Sequence, residues 1–147
     1  MKPISLESLL AGFIGGAIGV ITLHQGLLLI FHSLGLVPFA PYSLRPTAPF
    51  GIPQVLSITF WGGIWGSAFA LASQIRRTLD RPALWTIFGA ILPSLVAALI
   101  VTPLKGGNTA DWLDPRRIAI ALILNGAWGL TAWFVYRLIL RRRLHPA

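Results

Sequence analysis

The sequence predicts an all-α integral membrane protein, folded as a four-helix bundle in a single transmembrane domain over residues 1–147. Composition is the first reason: 55% of the residues are hydrophobic and 11% are charged, with a mean hydropathy of +0.75. Soluble domains carry roughly 25% charged residues. The second reason is that four apolar runs are each long enough to cross a bilayer, which takes about 20 helical residues.

The first apolar run covers residues 9–31 and begins like a signal peptide, with Lys2 ahead of an apolar stretch. The run is longer than the roughly 7–15 residues of a signal-peptide core, and no A-x-A cleavage site follows it. We therefore expect a retained transmembrane helix.

The other apolar runs cover residues 53–74, 83–104 and 118–136. Pro53 and Pro82 stand at the expected helix starts, where proline is tolerated because the first N–H groups of a helix have no intrahelical partner. Asp114 is expected to cap the fourth helix. Pro93 lies inside the third run and is expected to kink it.

The distribution of Lys and Arg predicts that both termini lie in the cytoplasm, because cytoplasmic loops are enriched in these residues. One side holds eight of them: Lys2, Arg76, Arg77, Arg81, Arg137, Arg141, Arg142 and Arg143. The other side holds four: Arg45, Lys105, Arg116 and Arg117. We interpret the net charge of +8 as flanking charge that orients the helices, so nucleic acid is not an expected partner.

An outer loop at residues 36–52 separates the first two helices and is rich in proline: Pro38, Pro41, Pro46 and Pro49. Proline at this density disfavours both helix and sheet. Because the loop is also apolar, we expect it to fold over the helix ends at the membrane interface. A lid over a site and a docking surface for a partner are the alternatives.

Two similar segments lie near the middle of the second and fourth helices: GGIWG at residues 62–66 and NGAWG at residues 125–129. A duplicated two-helix unit would explain them, with both copies threaded the same way about a pseudo-twofold axis along the membrane normal. Chance recurrence in an apolar, glycine-rich chain is the alternative.

Small residues four apart are expected to hold the helices together, because hydrophobic burial does not drive association within lipid. Three G-x-x-x-G pairs occur, namely Gly12–Gly16, Gly15–Gly19 and Gly62–Gly66. The third helix carries the small stripe Ala90, Ser94, Ala98 and Thr102, and the fourth carries Ala121, Asn125 and Gly129. The predicted packing residues are Gly12, Gly16, Gly62, Gly66, Gly126 and Gly129.

Uncharged polar residues gather in the outer third of the predicted bilayer, beneath the outer loop: His24, Gln25, His32, Gln54, Thr59 and Asn125. Such groups are costly against lipid and usually face the interior of a bundle or a wet cavity. They predict either a polar vestibule or interhelical hydrogen bonds that fix the packing.

The residues that usually carry chemistry are scarce. The chain has no Cys, and its four acids lie at helix ends, where capping or dipole interactions explain them: Glu7, Asp80, Asp111 and Asp114. It shows no spacing typical of an activated nucleophile and no phosphate-binding glycine loop. We expect no cofactor, no metal site and no enzyme activity.

Three stretches of the chain, PYSLRPTAPFGIPQVLSITFWGGIWG, PLKGG and NGAWG, resemble small four-pass bacterial membrane proteins of uncharacterised function. The resemblance covers most of the chain. It implies the bacterial inner membrane and supplies no activity, ligand or site residues.

Two functions are compatible with these features. The small-residue faces and the scarcity of charge within the apolar runs predict a non-enzymatic structural or accessory component. Such a component would self-associate or belong to a larger membrane complex. A small homo-oligomeric channel or transporter, using the polar outer third as a vestibule, is the alternative.

Topology reporters test the predicted threading. A reporter fused at residue 78 or at the C-terminus should behave as cytoplasmic and one at residue 46 as external, because Lys and Arg are concentrated on the first side. Paired phosphatase and fluorescent-protein fusions measure this. An external C-terminal reporter would contradict either the four-helix threading or its orientation.

Overall fold

Four long helices make up most of the structure, a computed structural model that describes residues 4–144, with side chains as far as Arg141. The helices are α1 (Leu6–Ser33), α2 (Gln54–Ile75), α3 (Pro82–Leu104) and α4 (Pro115–Leu144). All four are long and apolar enough to cross a membrane, and the all-α prediction is confirmed. Three residues used to predict the orientation lie outside the described side chains: Lys2, Arg142 and Arg143.

α1 and α4 extend beyond their predicted bounds at both ends. α2 is shifted by one residue at both ends, and α3 begins one residue earlier than predicted. α1 begins at Leu6 because Ser5 caps it, with Ser8 N donating to Ser5 Oγ at 3.3 Å. At the start of α4, Asp114 Oδ1 accepts from Arg116 N at 2.9 Å. α4 then continues to Leu144 through arginines, which are good helix formers even where apolar residues are sparse.

The helices are arranged around α1 and α4, which pack against each other. α2 packs on another face of α1, and α3 packs on α4, so every extensively contacting pair is antiparallel. We call the end of the bundle where α1 begins the inner end, and the opposite end the outer end. At the inner end, the Phe69 ring of α2 lies 5.5 Å from the Trp85 ring of α3, and Trp85 Nε1 donates to Ser73 Oγ at 3.1 Å.

The contact between α1 and α2 leaves no room for side chains where the helices cross. A Cβ atom added at Gly12 would lie 2.5 Å from the Gly66 carbonyl oxygen. A Cβ atom at Gly16 would collide with the Gly62 carbonyl oxygen. Only glycine permits backbones to approach this closely.

A second glycine face of α1 lies against α4. A Cβ atom added at Gly15 would lie 2.6 Å from the Ala132 carbonyl oxygen, and one at Gly19 would lie 3.0 Å from Trp128 Cδ1. The buried Trp128 indole Nε1 also donates to the Gly16 carbonyl oxygen at 2.8 Å. At these four glycines α1 therefore presents backbone, rather than side chains, to both of its neighbours.

The contact between α3 and α4 is equally close at Gly129, where an added Cβ atom would collide with the Trp85 carbonyl oxygen. A Cβ atom at Gly89 would lie 3.0 Å from Gly129 Cα. Gly126 differs, because a Cβ atom there would be 3.4 Å from Ala90 Cβ, an ordinary van der Waals contact. The close approach of α3 and α4 does not require glycine at position 126.

The two consecutive helix pairs are alike in one respect that bears on duplication. Gly66 of α2 and Gly129 of α4 both face backbone of the preceding helix. A twofold arrangement would also require α2 to pack on α3 as α4 packs on α1, and α2 and α3 make far less contact. The duplicated unit therefore stays a prediction. If it is correct, the two copies pack unequally, because α4 packs on α1 whereas α2 packs little on α3.

Polar side chains join the helices at the inner end. Asp80, in the short connection between α2 and α3, accepts from Trp133 Nε1 at 2.9 Å and from Arg137 Nη1 at 2.8 Å. Asp80 therefore binds across the bundle to α4 instead of capping a helix, which differs from the role expected for the acids. Nearby, the buried hydroxyl groups of Ser8 and Tyr136 lie 3.0 Å apart.

Two helices are interrupted by a π turn: Val20–His24 in α1 and Ala97–Val101 in α3. A π turn contains one residue more than an α turn and often marks a functional site. Pro93 lies inside α3, and the helix continues past it into the π turn that begins at Ala97. Each π turn lies in the outer half of its helix.

Leu substitutions test the glycine contacts. Gly66→Leu or Gly129→Leu should each destabilise the protein by about 2 kcal/mol or more, because the new side chain meets the backbone of the facing helix. Unfolding by sodium dodecyl sulfate from a mild detergent measures the loss. Gly26→Leu is the matched control, since nothing lies within 4 Å of a Cβ atom there. Equal stability of the three variants would contradict the packing described above.

Candidate functional site

A cavity of about 190 Å³ lies at the outer end of the bundle, between α1, α2 and α4 and beneath the outer loop. Its polar lining residues are His24, Gln25, Ser43 and Gln54. The remaining lining is apolar, and no Asp, Glu, Lys or Arg contributes to it. We call this space the outer cavity.

The outer loop is anchored to the start of α2. Pro46–Thr47 pairs with Ile52–Pro53 as a short antiparallel ladder, so the expectation that proline disfavours sheet fails over these residues. Their backbone groups can pair because only a few residues are involved and the ladder is an isolated edge. Gln54 N donates to Arg45 O at 2.9 Å, and Val55 N donates to Ser43 O at 3.0 Å. The loop carbonyls thus satisfy N–H groups that a helix start leaves unpaired.

Tyr42 fastens the outer loop to α1. Its backbone lies in the left-handed region, with φ of 51°, and its N–H donates to Gln25 Oε1 at 2.6 Å. Its hydroxyl group donates to the Ile21 carbonyl oxygen at 3.0 Å. Ile21 belongs to the π turn of α1, so one loop residue bonds both to that turn and to the residue that follows it.

Gln25 is the largest fully buried side chain in the described part of the chain, with 1% of its surface exposed. Its Oε1 accepts from Tyr42, and its Nε2 lies 3.5 Å from His24 Nδ1. Burying an amide is unfavourable unless its polar atoms are bonded. The position of the loop is therefore coupled to the burial of Gln25.

The outer cavity is closed on its inner side. Ile58 and Leu124 line the cavity, and Gly62 and Trp128 lie one helical turn further inward on the same helix faces. An added Cβ atom at Gly62 would collide with Val20 and lie 3.2 Å from Trp128 Nε1. This layer of close contacts forms the floor of the cavity and separates it from the inner half of the bundle.

The structure brings three of the six predicted polar residues to the cavity, namely His24, Gln25 and Gln54. Thr59 follows the lining residue Ile58 and is turned about 100° away from it. Its hydroxyl group donates to Val55 O within α2 at 2.7 Å. Asn125 follows the lining residue Leu124 in the same way and points toward α3, where its Nδ2 donates to Ser94 Oγ at 2.9 Å.

His32 lies outside the cavity, near the end of α1. Its Nδ1 is 3.2 Å from the Val37 carbonyl oxygen, so it contacts the first part of the outer loop. The residues of the predicted vestibule thus lie in different places. Gln25 belongs to a smaller polar site, Asn125 to the contact between α3 and α4, and His32 to a contact with the outer loop. Helical neighbours at the same depth differ in direction, and depth alone does not reveal that difference.

Two residues of the outer loop, Ser43 and Tyr42, contribute to this site and were not among the predicted site residues. Ser43 lines the cavity from the loop, and its position depends on the backbone bonds that hold the loop to α2. Tyr42 does carry a signal, because tyrosine in an apolar loop usually seeks a hydrogen-bond partner for its hydroxyl group. The identity of that partner follows only from the fold.

A second cavity of about 290 Å³ lies between the outer halves of α3 and α4. Its lining is almost wholly apolar, with Trp112 and Leu113 of the connection between these helices among the lining residues. Among the residues with described side chains, no group of three or more His, Asp or Glu is placed to hold a metal ion.

The chain matches no protein-family model, no curated protein and no solved structure. The chemistry of its own residues is therefore the basis for a functional proposal.

Replacement of Gln25 tests its role in holding the loop. Gln25→Leu removes the acceptor of the Tyr42 N–H and should raise the hydrogen-exchange rate of that amide by up to about tenfold. Asn125→Leu is the matched control, because it removes an amide bonded to Ser94 instead. Residue-resolved exchange in detergent measures both. An unchanged Tyr42 rate in Gln25→Leu would show that this bond does not hold the loop.

Proposed function

We propose that this protein is an integral protein of the bacterial inner membrane with both termini in the cytoplasm. Its proposed role is that of a non-enzymatic structural or accessory component, which self-associates or joins a larger membrane complex. The observation that carries this proposal is the apolar outer surface of the helices. An exposed tryptophan on that surface, Trp61, supports a protein partner.

The outer surface of every helix carries large apolar side chains. Leu10 of α1 is 55% exposed, Leu99 of α3 is 65% exposed and Phe134 of α4 is 63% exposed. Water would make such a surface a strong aggregation hazard, whereas lipid accommodates it without cost. Exposed arginines at the inner end, including Arg76, Arg77 and Arg81, support a cytoplasmic inner end.

Trp61 supports a protein partner within the membrane. It is 57% exposed and lies about 10 Å inward from the start of α2. Tryptophan prefers the membrane–water interface, where its indole N–H can be hydrated. No described residue accepts a hydrogen bond from Trp61, and the exposed Phe60 ring lies beside it at 5.9 Å. A helix of a partner protein could accept a hydrogen bond from the Trp61 indole N–H or pack closely against its ring, which lipid acyl chains cannot do as well.

Purification from native membranes tests the accessory role. In a mild detergent, the protein should migrate as a complex larger than its own 16.0 kDa plus bound detergent, with its partners identified by mass spectrometry. Trp61→Ala should reduce the complex severalfold, because contacts of large aromatic residues dominate many interfaces. Phe134→Ala is the matched control on α4. A monodisperse monomer without partners, or equal effects of both variants, would contradict the proposal.

Transport is the second candidate, and the outer cavity is the observation that favours it. Passage through one copy of the chain would require the Val20, Gly62 and Trp128 layer to open, because these residues close the cavity floor. Purified protein in liposomes should therefore show no solute or ion flux if the accessory role is correct. Flux that disappears in Leu124→Trp, a variant designed to fill the cavity, would favour the transporter instead.

A further inference from the structure

The hydrogen bonds around Gln25 determine which way its amide points. Tyr42 contributes a backbone N–H, which can only donate, so the atom 2.6 Å from it must be the amide oxygen of Gln25. The NH₂ group of Gln25 is then directed to His24 Nδ1, 3.5 Å away. An NH₂ group has two hydrogens, and this contact uses one of them. The other hydrogen has no partner among the described residues.

The contact with Gln25 is compatible with one tautomer of His24. Its Nδ1 can accept from the Gln25 amide only if the ring proton is on Nε2. His24 lines the cavity, and no described residue accepts a hydrogen bond from its Nε2. His24 and the buried Gln25 both line the cavity, and each keeps an N–H hydrogen without a partner among the described residues.

The rest of the lining restricts what these donors could bind. Ser43 and Gln54 add uncharged polar groups, and the lining contains no ionised acid or Lys or Arg side chain that could balance a charged ligand. Leu28, Phe39 and Val55 form apolar walls. At close packing, about 190 Å³ holds on the order of ten non-hydrogen atoms, less than a drug-sized ligand.

We propose that the outer cavity binds a small uncharged amphiphile whose carbonyl or ether oxygen accepts hydrogen bonds from Gln25 and His24 while its apolar part lies against Leu28 and Phe39. The ligand enters beneath the outer loop, which Tyr42 holds over the site. This binding role goes beyond the accessory role and does not depend on the partners of the protein.

Histidine ring NMR provides a direct test, since the chain contains three His. Protein with ¹⁵N-labelled His rings, in detergent micelles, is titrated with acetophenone, which has one carbonyl acceptor on an apolar ring. Ethylbenzene, which lacks the acceptor, and benzoate, which is charged, are the matched probes. The His24 signals should show the Nε2–H tautomer before addition and should shift saturably with acetophenone. His32 lies outside the cavity and serves as the internal reference.

Acetophenone should bind on the order of tenfold more tightly than ethylbenzene, because its oxygen pairs donors that otherwise stay unpaired. Benzoate should bind more weakly than acetophenone, since nothing in the lining balances its charge. Equal binding of ethylbenzene, or tighter binding of benzoate, would overturn the proposed ligand class. A shift that never saturates, or that moves His32 as much as His24, would indicate partition into detergent and overturn the site itself.

Two pairs of variants separate binding from folding. Gln25→Leu should abolish the saturable shift, whereas Asn125→Leu should retain it. Leu124→Trp should also abolish it by filling the cavity, whereas Ile123→Trp, at a position that is 51% exposed, should not. Saturable binding that survives both Gln25→Leu and Leu124→Trp would overturn the proposal. Because binding is read in detergent, its failure leaves the accessory role open, and isolation of the protein as a lone monomer leaves the binding site open.

Discussion

Backbone contact along α1 is the constraint on which the rest of the structure depends. Gly12 and Gly16 face α2, while Gly15 and Gly19 face α4, so at these four positions α1 has no side chain that could hold its neighbours apart. Contacts this close make van der Waals attraction and weak polar contacts effective where hydrophobic burial contributes little. α3 then joins the bundle through α4 and meets α2 at the inner end. The outer cavity lies beyond these glycines, where Leu28 of α1 and Leu124 of α4 are among the lining residues.

The outer ends of the two helix pairs are built in a related way. In α1, Tyr42 of the following loop donates to Ile21 O within the π turn. In α3, Trp112 of the following connection donates to Thr102 Oγ1, which in turn donates to Ala97 O in the second π turn. Each π turn is thus bonded, directly or through a threonine, to an aromatic residue of the next connection. The two π turns start at Val20 and Ala97, 77 residues apart, whereas Gly66 and Gly129 are 63 apart, so this similarity is not in register with the predicted duplication.

The helices could be predicted from the sequence because the length of an apolar run, and the charged residues or prolines that flank it, can be read from neighbouring residues alone. The small stripes on the third and fourth helices also contained a real pair, since Asn125 donates to Ser94 across their interface. Which polar residues share a cavity could not be predicted in the same way. That outcome depends on the π turn, which alters the direction of every later residue in α1, and on the left-handed backbone of Tyr42, which has no glycine to signal it.

The π turn of α1 also fixes the rotational register of that helix. If Val20–His24 were regular α-helix, the residues beyond it would be turned by roughly 100° about the axis, and His24 would occupy the interior direction that Gln25 now holds. Tyr42 bonds to Ile21 inside the turn and to Gln25 beyond it, so it spans the junction at which such a rotation would occur. Tyr42 therefore holds the helix on both sides of this junction, and the direction in which Gln25 points depends on that register.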